Sequence, residues 1–400
     1  MEFLTEAAGK NLHLEHLEDE ILNFGVAGGR GAIEFLQSLR DMFKGGQGST
    51  LNVTVKWDGA PALFCGPHPE TGKFFVAKKS LFNKTPKFYH TNDEIDVDLT
   101  GELAKKFKVA LAEFPKLGMT EILQGDLMFT DDTSTMDIDG TKHITFQPNT
   151  ILYAVESDSQ IGREIQNAKI GIVWHTTYKG NSIDTLSASF GAKIPGKSSR
   201  VWQDDATYRD VSGKANFTAS ETVKVTKLLS EAGKQFHRIN SGSFNNFMKW
   251  QDSLGASAVG SGFKTYLNTY TRAGKKLPKG KKAVQGYINH FTTWWKKNKS
   301  DNDVQNSKLR EHLKVIKKSL KTLESVVDFM RFLIEAKLMI IKKMDSAKGL
   351  AKTFVKTDNG LKVVAPEGYV AIDKTGGAVK IVDKMEFSFN NFTVAKNWDK

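Results

Sequence analysis

The hydrophobic periodicity of this chain changes twice, and the two changes limit the folds that it can adopt. From Leu51 to His175, apolar residues alternate in short runs such as Leu51-Asn-Val-Thr-Val55, which predicts β-strands. Between about 205 and 348 the apolar spacing becomes three-and-four, which predicts helices, and strand character returns after Gly349. The simplest architecture is an α+β domain interrupted by an inserted, mostly helical domain.

These changes divide the chain into four segments. Residues 1–50 form an N-terminal helical segment that ends at the glycine-rich sequence Gly45-Gly-Gln-Gly48. Residues 51–204 and 349–400 form the two parts of the sheet domain, and residues 205–348 form the helical insertion. A chain of 400 residues, of which 40% are hydrophobic, is long enough to bury a site in such a domain.

Positive charge is concentrated in the helical insertion. The formal net charge is +12, and 21 Lys and Arg face 7 Asp and Glu between Lys264 and Lys348. Such an excess is typical of a surface that binds the phosphate backbone of nucleic acid. The alternative is a solvated helical face that is rich in lysine.

Candidate nucleic-acid contacts follow from this distribution. A loop and the start of the next helix carry five lysines, which would contact phosphates: Lys275, Lys276, Lys279, Lys281 and Lys282. Trp294 and Trp295, followed by two further lysines, could stack on unpaired bases beside this track. The alternative is that one tryptophan is a core residue and the other is incidental.

Cysteine content and hydropathy indicate the compartment. The single cysteine, Cys65, excludes an intrachain disulfide framework and a cysteine-based metal cluster, which is typical of a reducing compartment. The first residues lack a basic region followed by an apolar stretch, and no segment has the apolar length of a membrane span. We therefore expect a cytoplasmic protein without a membrane partner. The oligomeric state stays open.

Lys56-Trp-Asp-Gly59 places a lysine amine where the strand Leu51–Val55 ends, beside a turn that glycine permits. A deprotonated lysine amine is a nucleophile that can attack phosphorus. Desolvation or neighbouring positive charge, here from Lys78 and Lys79, favours the deprotonated form. The product would be a lysine phosphoramidate with a nucleotide. The alternative is a surface lysine at a strand end.

Five ordered motifs resemble those of the covalent nucleotidyltransferases, the superfamily of polynucleotide ligases and messenger-RNA capping enzymes. They are Lys56-Trp-Asp-Gly59, Gln124-Gly-Asp126-Leu, Ile172-Val-Trp174-His, Glu367-Gly-Tyr-Val370 and Val379-Lys380-Ile-Val-Asp-Lys384. The resemblance covers roughly residues 50–180 and 360–390. It implies an antiparallel-sheet, ATP-grasp-like ligase domain that uses ATP and Mg²⁺, although GTP stays open.

The resemblance also assigns roles to single residues. It implies that the nucleotide is attached to Lys56 and that the metal is bound by Glu367. The residues that would contact the nucleotide are Asp58, Lys79, Asp126, Trp174 and Lys380. Asp126 would contact the ribose, where the superfamily usually has Glu. Trp174 would stack on the base, and Lys380 would reach the α-phosphate.

Each of these residues has a structural alternative. Asp126 could cap a turn after Gly125, and Trp174 could be a core residue, as aromatic residues in strands commonly are. Glu367 could be an exposed residue at the start of a strand. Lys380 could extend from the edge of a sheet into water.

Departures from the superfamily pattern narrow the expected function. Pro61 stands where DNA ligases commonly have Arg, Val382 replaces the second lysine of the last motif, and sixteen residues follow Lys384, too few for the OB domain of DNA ligases and capping enzymes. These departures favour an RNA-ligase-like enzyme without a C-terminal OB domain.

We therefore expect an ATP-dependent enzyme that forms lysyl-AMP at Lys56 and passes AMP to a nucleic-acid 5′-phosphate, with RNA favoured over DNA. One alternative is nucleotidylation of a protein or other acceptor without strand sealing. Another is a degenerate, non-catalytic domain that only binds nucleic acid. The phrases beginning at His13 and Lys380 also resemble uncharacterised proteins of large tailed phages, which would place the protein in the host cytoplasm.

Overall fold

A computed structural model describes residues 16–44, 51–206, 216–346, 352–357, 360–363, 368–373 and 378–385. Strands occur in the two parts of the chain where alternation predicts them. In chain order they are β1 (Leu51–Lys56), β2 (Ala62–Pro67), β3 (Phe74–Ala77), β4 (Ile122–Phe129), β5 (Ser134–Ile138), β6 (Thr141–Phe146), β7 (Leu152–Glu156), β8 (Ile170–Lys179), β9 (Ser187–Phe190), β10 (Val201–Asp205), β11 (Lys352–Thr357), β12 (Gly360–Val363), β13 (Gly368–Asp373) and β14 (Ala378–Ile381).

Helices flank the sheets and fill the segment between β10 and β11. In chain order they are α1 (Glu20–Phe43), α2 (Asn92–Asp98), α3 (Gly101–Glu113), α4 (Gln160–Asn167), α5 (Ala219–His237), α6 (Ser241–Ser253), α7 (Phe263–Arg272), α8 (Gly280–Asn298), α9 (Asp303–Lys318) and α10 (Leu320–Asp345). Short 3₁₀ helices lie at Leu17–Asp19, Lys79–Phe82, Phe114–Leu117, Ile183–Thr185 and Ala256–Ser261. The predicted α+β class is therefore confirmed.

The described strands form three sheets. The three-stranded sheet has the order β1-β13-β14, and the six-stranded sheet has the order β10-β8-β4-β2-β3 with β9 beside β8. The five-stranded sheet has the order β12-β11-β7-β6-β5. Neighbouring strands are antiparallel except β8 and β10, which are parallel. The predicted antiparallel character therefore holds for all the other named strand pairs.

Local sequence signals explain where several helices begin. Thr218 precedes α5 and its side chain accepts from the Glu221 N–H, while the Glu221 carboxylate accepts from the Thr218 N–H. This reciprocal pair satisfies two N–H groups at the start of the helix. The last part of the predicted helical insertion is two helices, because Ser319, with φ −99° and ψ 3°, separates α9 from α10.

One hydrophobic core joins the N-terminal helix to the helical insertion. Phe35 and Leu39 of α1 lie in the same buried cluster as Leu229 of α5 and Leu333 of α10. We call α1 together with α5–α10 the helical unit. The described helices of the N-terminal segment and of the insertion, which are far apart in sequence, thus form one packed body.

The helical unit packs on one face of the three-stranded sheet. Tyr369 and Ile381 are opposite each other on β13 and β14, and both belong to the core of the helical unit, as does Val53 of β1. The Tyr369 hydroxyl donates to Asp345 at the end of α10 at 2.7 Å. Side chains at alternate positions of these strands therefore point away from the helices.

No helix among the described residues is a candidate for a membrane span. None of the described helices combines the length and the apolar character that a bilayer crossing requires. The apolar residues of the long helix α10, such as Leu323 and Leu333, are buried in the helical unit instead.

Candidate active site

Lys56 and Lys380 lie on the same face of the three-stranded sheet. Lys56 ends β1 opposite Gly368 of β13, and Lys380 of β14 is opposite Val370 of β13. Opposite residues of paired strands, and alternate residues of one strand, share a face. Both lysines are therefore on the face opposite to that of Tyr369 and Ile381, which pack on the helical unit. Two motifs from opposite ends of the chain thus meet in one sheet.

Asp58 holds the turn that follows Lys56. Its buried carboxylate accepts four hydrogen bonds of 2.7–2.8 Å, from the Asn149 side chain, from the backbone and hydroxyl of Thr150 and from the Ile151 N–H. The Asp58 N–H donates to the Tyr153 hydroxyl at 2.7 Å. These bonds occupy the acceptor sites of the carboxylate. The expected nucleotide contact of Asp58 is therefore corrected to a structural role.

Gly59 brings the turn into contact with Asp126. A Cβ atom at position 59 would lie 2.5 Å from the Cβ of Asp126, which is closer than real side chains approach. Ala60 and Pro61, which follow Gly59, form backbone hydrogen bonds with Leu127 of β4. The Ala60 N–H donates to the Leu127 carbonyl at 2.9 Å, and the Leu127 N–H donates to the Pro61 carbonyl at 3.1 Å. Only glycine permits this approach, which joins the first and second motifs.

Asp126 of β4 lies close to His175 of the neighbouring strand β8. Gln124 is opposite Thr176 and Gly125 is opposite Trp174, so His175 is an extra residue that forms a bulge in β8. The His175 Nε2 lies 3.7 Å from the Asp126 Oδ1, and the two side chains are 27% and 22% exposed. This solvent-accessible pair was not predicted from the sequence.

Trp174 is a core residue. Its side chain is 0% exposed, its ring centroid lies 5.4 Å from that of Phe114, and its indole N–H donates to Gln203 at 2.9 Å. The ring has no free face on which a base could stack. The expected base-stacking role is therefore corrected, and the alternative of a core tryptophan describes its position.

Lys79 and Lys78 lie where β3 ends. Lys79 is exposed and begins the 3₁₀ helix Lys79–Phe82, whereas Lys78 is half-buried. Lys78 lines an open cleft of about 910 Å³ together with Gly59–Ala62, Thr100–Leu103 and Thr145–Asn149. The turn after Lys56 thus contacts Asp126 and also borders this cleft.

The predicted metal ligand, Glu367, lies outside the described residues. It directly precedes Gly368, which is opposite Lys56. No cluster of three or more His, Cys, Asp or Glu side chains suited to a metal occurs among the residues that the structure describes. The assignment of Mg²⁺ to Glu367 therefore stays a prediction.

The five predicted nucleic-acid lysines are all exposed, and we call them the lysine loop (Lys275, Lys276, Lys279, Lys281 and Lys282). The last two belong to the first turn of α8, which begins at Gly280. Lys275 and Lys276 also line a cavity of about 110 Å³ with Lys384, which follows β14. The lysine loop therefore lies beside the last of the five motifs.

The two tryptophans of α8 pack inside the helical unit. Trp295 is 7% exposed, stacks on Phe291 at a ring distance of 5.9 Å, and donates from its indole N–H to the Gln305 carbonyl at 3.2 Å. Trp294 is half-buried, and its indole nitrogen lies against Gly260. The expected base-stacking role is therefore corrected for Trp295, which is a core residue.

A buried set of charges, which was not predicted, connects the N-terminal 3₁₀ helix to the last motif. Lys337 of α10 binds Glu18 at 2.6 Å with both side chains at most 2% exposed, and Lys384 binds Asp19 at 2.7 Å. His16 forms an isolated backbone bridge with Lys380. These contacts fix the position of β14 relative to the helical unit.

Burial and neighbouring charges shift the pKa values of His16, Glu18 and Asp19. Burial lowers the pKa of His16 to about 3, an effect that Glu18 opposes and that neighbouring lysines add to. Burial raises the pKa of Asp19, although Lys384 opposes the shift. Burial also disfavours the Glu18 carboxylate, but Lys337 and nearby cations outweigh it and hold the pKa of Glu18 below its ordinary value.

The fold and site define an α+β protein whose lysine-bearing strand, β1, pairs with β13, which in turn pairs with β14. The chain belongs to the family described as "Family of unknown function (DUF6267)", which it matches over residues 11–396. No curated protein and no solved structure matches the chain.

Proposed function

We propose that this protein is a covalent nucleotidyltransferase of the polynucleotide-ligase type, in which Lys56 takes AMP from ATP. The observation that carries the proposal is the pairing of β1 with β13 and of β13 with β14. This pairing sets Lys56 beside the backbone that follows Glu367 and on the same face as Lys380. This arrangement supports the proposal because it brings the first motif into the same sheet as the strands that follow the fourth motif and carry the fifth.

The first step is attack of the Lys56 amine on the α-phosphorus of ATP. The nitrogen–phosphorus bond forms, the bond from phosphorus to the pyrophosphate oxygen breaks, and the amine loses a proton to solvent. Lys380 supplies positive charge on the same face of the sheet, where it would stabilise the charge that develops on the α-phosphate oxygens. Asp58 fixes the turn and so holds Lys56 in position.

Mg²⁺ would neutralise the departing pyrophosphate, as metal ions do in other phosphoryl transfers. Glu367 is the residue proposed to hold it, on the strength of the motif resemblance. Asp126, which Gly59 contacts, is the residue proposed to bind the ribose.

The acceptor would approach through the cleft of about 910 Å³ that borders the turn. This volume is within the range of small-molecule and cofactor sites. We propose a 5′-phosphorylated nucleic-acid end as the acceptor, because the exposed lysine loop offers positive charge for a phosphate backbone. RNA is favoured because Pro61 and Val382 depart from the pattern of DNA ligases. Transfer to a protein or another acceptor without sealing is the second candidate, and a degenerate domain that only binds nucleic acid is the third.

Covalent labelling tests the proposal directly. The protein is incubated with ATP labelled at the α-phosphate and with Mg²⁺, and the expected result is label on the protein that acid releases and alkali does not. Lys56→Ala and Lys56→Arg should both abolish it. Lys73→Ala, which removes an exposed lysine from the turn between β2 and β3, is the matched control. Absence of label, or undiminished label in Lys56→Ala, would refute the mechanism.

The acceptor is identified in a second stage with the labelled protein. Single-stranded RNA with a 5′-phosphate, nicked duplex DNA and a mixture of proteins are added separately. Transfer of label to the RNA end followed by strand joining supports the ligase proposal. Transfer to protein alone supports the second candidate.

A further inference from the structure

The distance between the side chains of Asp126 and His175 is suited to binding a ligand hydroxyl group between them. Their nearest side-chain atoms are 3.7 Å apart, which is longer than a direct hydrogen bond. A hydroxyl oxygen about 2 Å to the side of the line between them would lie about 2.8 Å from both atoms. A hydroxyl both donates and accepts, so it could donate to the Asp126 carboxylate and accept from the His175 Nε2–H.

The strand pairing around His175 and a contact of its ring restrain the position of this side chain. At His175 the outer edge of β8 changes partner, since β10 pairs with Ile170–Trp174 and β9 pairs with Thr177–Lys179. His175 is the extra residue of the bulge at this point, and its side chain is 27% exposed whereas the neighbouring Trp174 is buried. The His175 Nδ1 lies 2.7 Å from the Thr176 hydroxyl oxygen, which restrains the ring.

Two polar residues lie next to the pair, and apolar clusters lie on both sides. Gln124 and Thr176 are opposite each other next to the pair, and Gln124 accepts from the Tyr178 hydroxyl at 2.9 Å. Met128 and Val173 belong to a buried cluster on one side, and Ile122 and Tyr178 to a buried cluster on the other. A polar, partly exposed band between two apolar clusters is suited to a ligand that presents hydroxyl groups.

We propose that His175, together with Asp126, binds the 2′-hydroxyl of the nucleotide ribose and makes the site select ribonucleotides over 2′-deoxyribonucleotides. The inference rests on the proposed function and deepens it, because the motif resemblance assigns the ribose to Asp126 and gives His175 no role. A site built to bind a hydroxyl leaves polar groups unpaired when the hydroxyl is missing, and so rejects the analogue.

The test compares ATP with 2′-deoxy-ATP in the wild type, His175→Ala and His175→Gln, measured as the rate of Lys56 labelling against nucleotide concentration. We expect the wild type to prefer ATP by about tenfold or more in kcat/KM, mainly through KM, and His175→Ala to reduce this preference to about twofold or less. His175→Gln, which keeps a donor, should restore part of it. His237→Gln, at an exposed position at the end of α5, is the matched control.

Binding of ADP and 2′-deoxy-ADP, measured by calorimetry, separates this inference from the proposed function. If labelling occurs but both analogues react equally in the wild type, or if His175→Ala keeps the preference, the role of His175 is refuted while the function stands. If labelling never occurs but ADP binds more tightly than 2′-deoxy-ADP in a His175-dependent way, the recognition stands and the proposed chemistry fails. Equal changes for both nucleotides in His175→Ala would indicate a structural role and refute the inference.

Discussion

The buried ion pair between Glu18 and Lys337 permits a quantitative test of how the N-terminal segment is held. Its two side chains are 2% and 1% exposed, and the charged atoms are 2.6 Å apart. Lys337→Met keeps the aliphatic part of the side chain but leaves the Glu18 carboxylate buried without its cation. We expect this substitution to lower the free energy of unfolding by about 3–5 kcal/mol at pH 7.

Removing both charges should restore most of the stability. The double variant Glu18→Met, Lys337→Met exchanges two desolvated charges for two apolar side chains, and we expect it to lie within about 2 kcal/mol of the wild type. The two single substitutions should therefore be strongly non-additive, as is usual for residues in direct contact.

The pH dependence has a definite sign. In the folded wild type the pKa of Glu18 lies below its ordinary value of 4.5, so the pair contributes stability above that pH, and the contribution is lost as the pH falls through the folded pKa. In Lys337→Met, burial without the cation should raise the pKa of Glu18. The difference between the two proteins should therefore shrink as the pH falls from 7 towards 4.

Denaturant unfolding followed by tryptophan fluorescence is the measurement, because Trp250, Trp294 and Trp295 lie in the helical unit. Lys105→Met is the control, since Lys105 pairs with Glu102 at an exposed site and its loss should change nothing measurable. A Lys337→Met protein as stable as this control would refute the reasoning. Additive losses in the double variant would also do so.

Two further predictions concern the turn and the lysine loop. Gly59→Ala should reduce Lys56 labelling at least about tenfold, because a Cβ 2.5 Å from that of Asp126 displaces the turn. Gly233→Ala, in an open position of α5, should leave labelling unchanged. Equal labelling of the two variants would contradict the argument. Changing all five lysines of the lysine loop to Gln should flatten the salt dependence of single-stranded RNA binding, by about 0.7 in the log–log slope for each phosphate that is no longer neutralised, as measured by fluorescence anisotropy. An unchanged slope would exclude the loop from the interface.

The sequence contained a signal for the buried lysine that its charge obscured. Lys337 lies four residues after Leu333 and four before Ile341, and all three belong to the buried face of α10. A lysine at such a position in an apolar stripe indicates a buried partner. Its partner, Glu18, could not be found in the same way, because an acidic residue near a helix start is also typical of a solvated first turn.

The base-stacking assignment failed because the motif spacing does not say which face of β8 carries Trp174. Ile170, Ile172 and Trp174 alternate regularly and belong to one buried cluster, so Trp174 is a core residue. His175 follows as the extra residue of a bulge and is partly exposed. The four bonds to Asp58 come from residues 149–151, a connection whose proximity the spacing of motifs does not encode.

The helices of the insertion and the two lysines lie on opposite faces of the three-stranded sheet, and this limits how the insertion can act on the site. Its helices pack against the face of Tyr369 and Ile381, whereas Lys56 and Lys380 are on the opposite face, so the helical unit supports the sheet from the side opposite to the lysines. The bonds from Asp19 to Lys384 and from Glu18 to Lys337 join that support to the end of β14. Nucleic acid on the lysine loop would consequently act on Lys380 through the position of its strand, since Lys275 and Lys384 line one cavity. Disturbing the buried ion pair should therefore impair nucleotide attachment as well as folding stability.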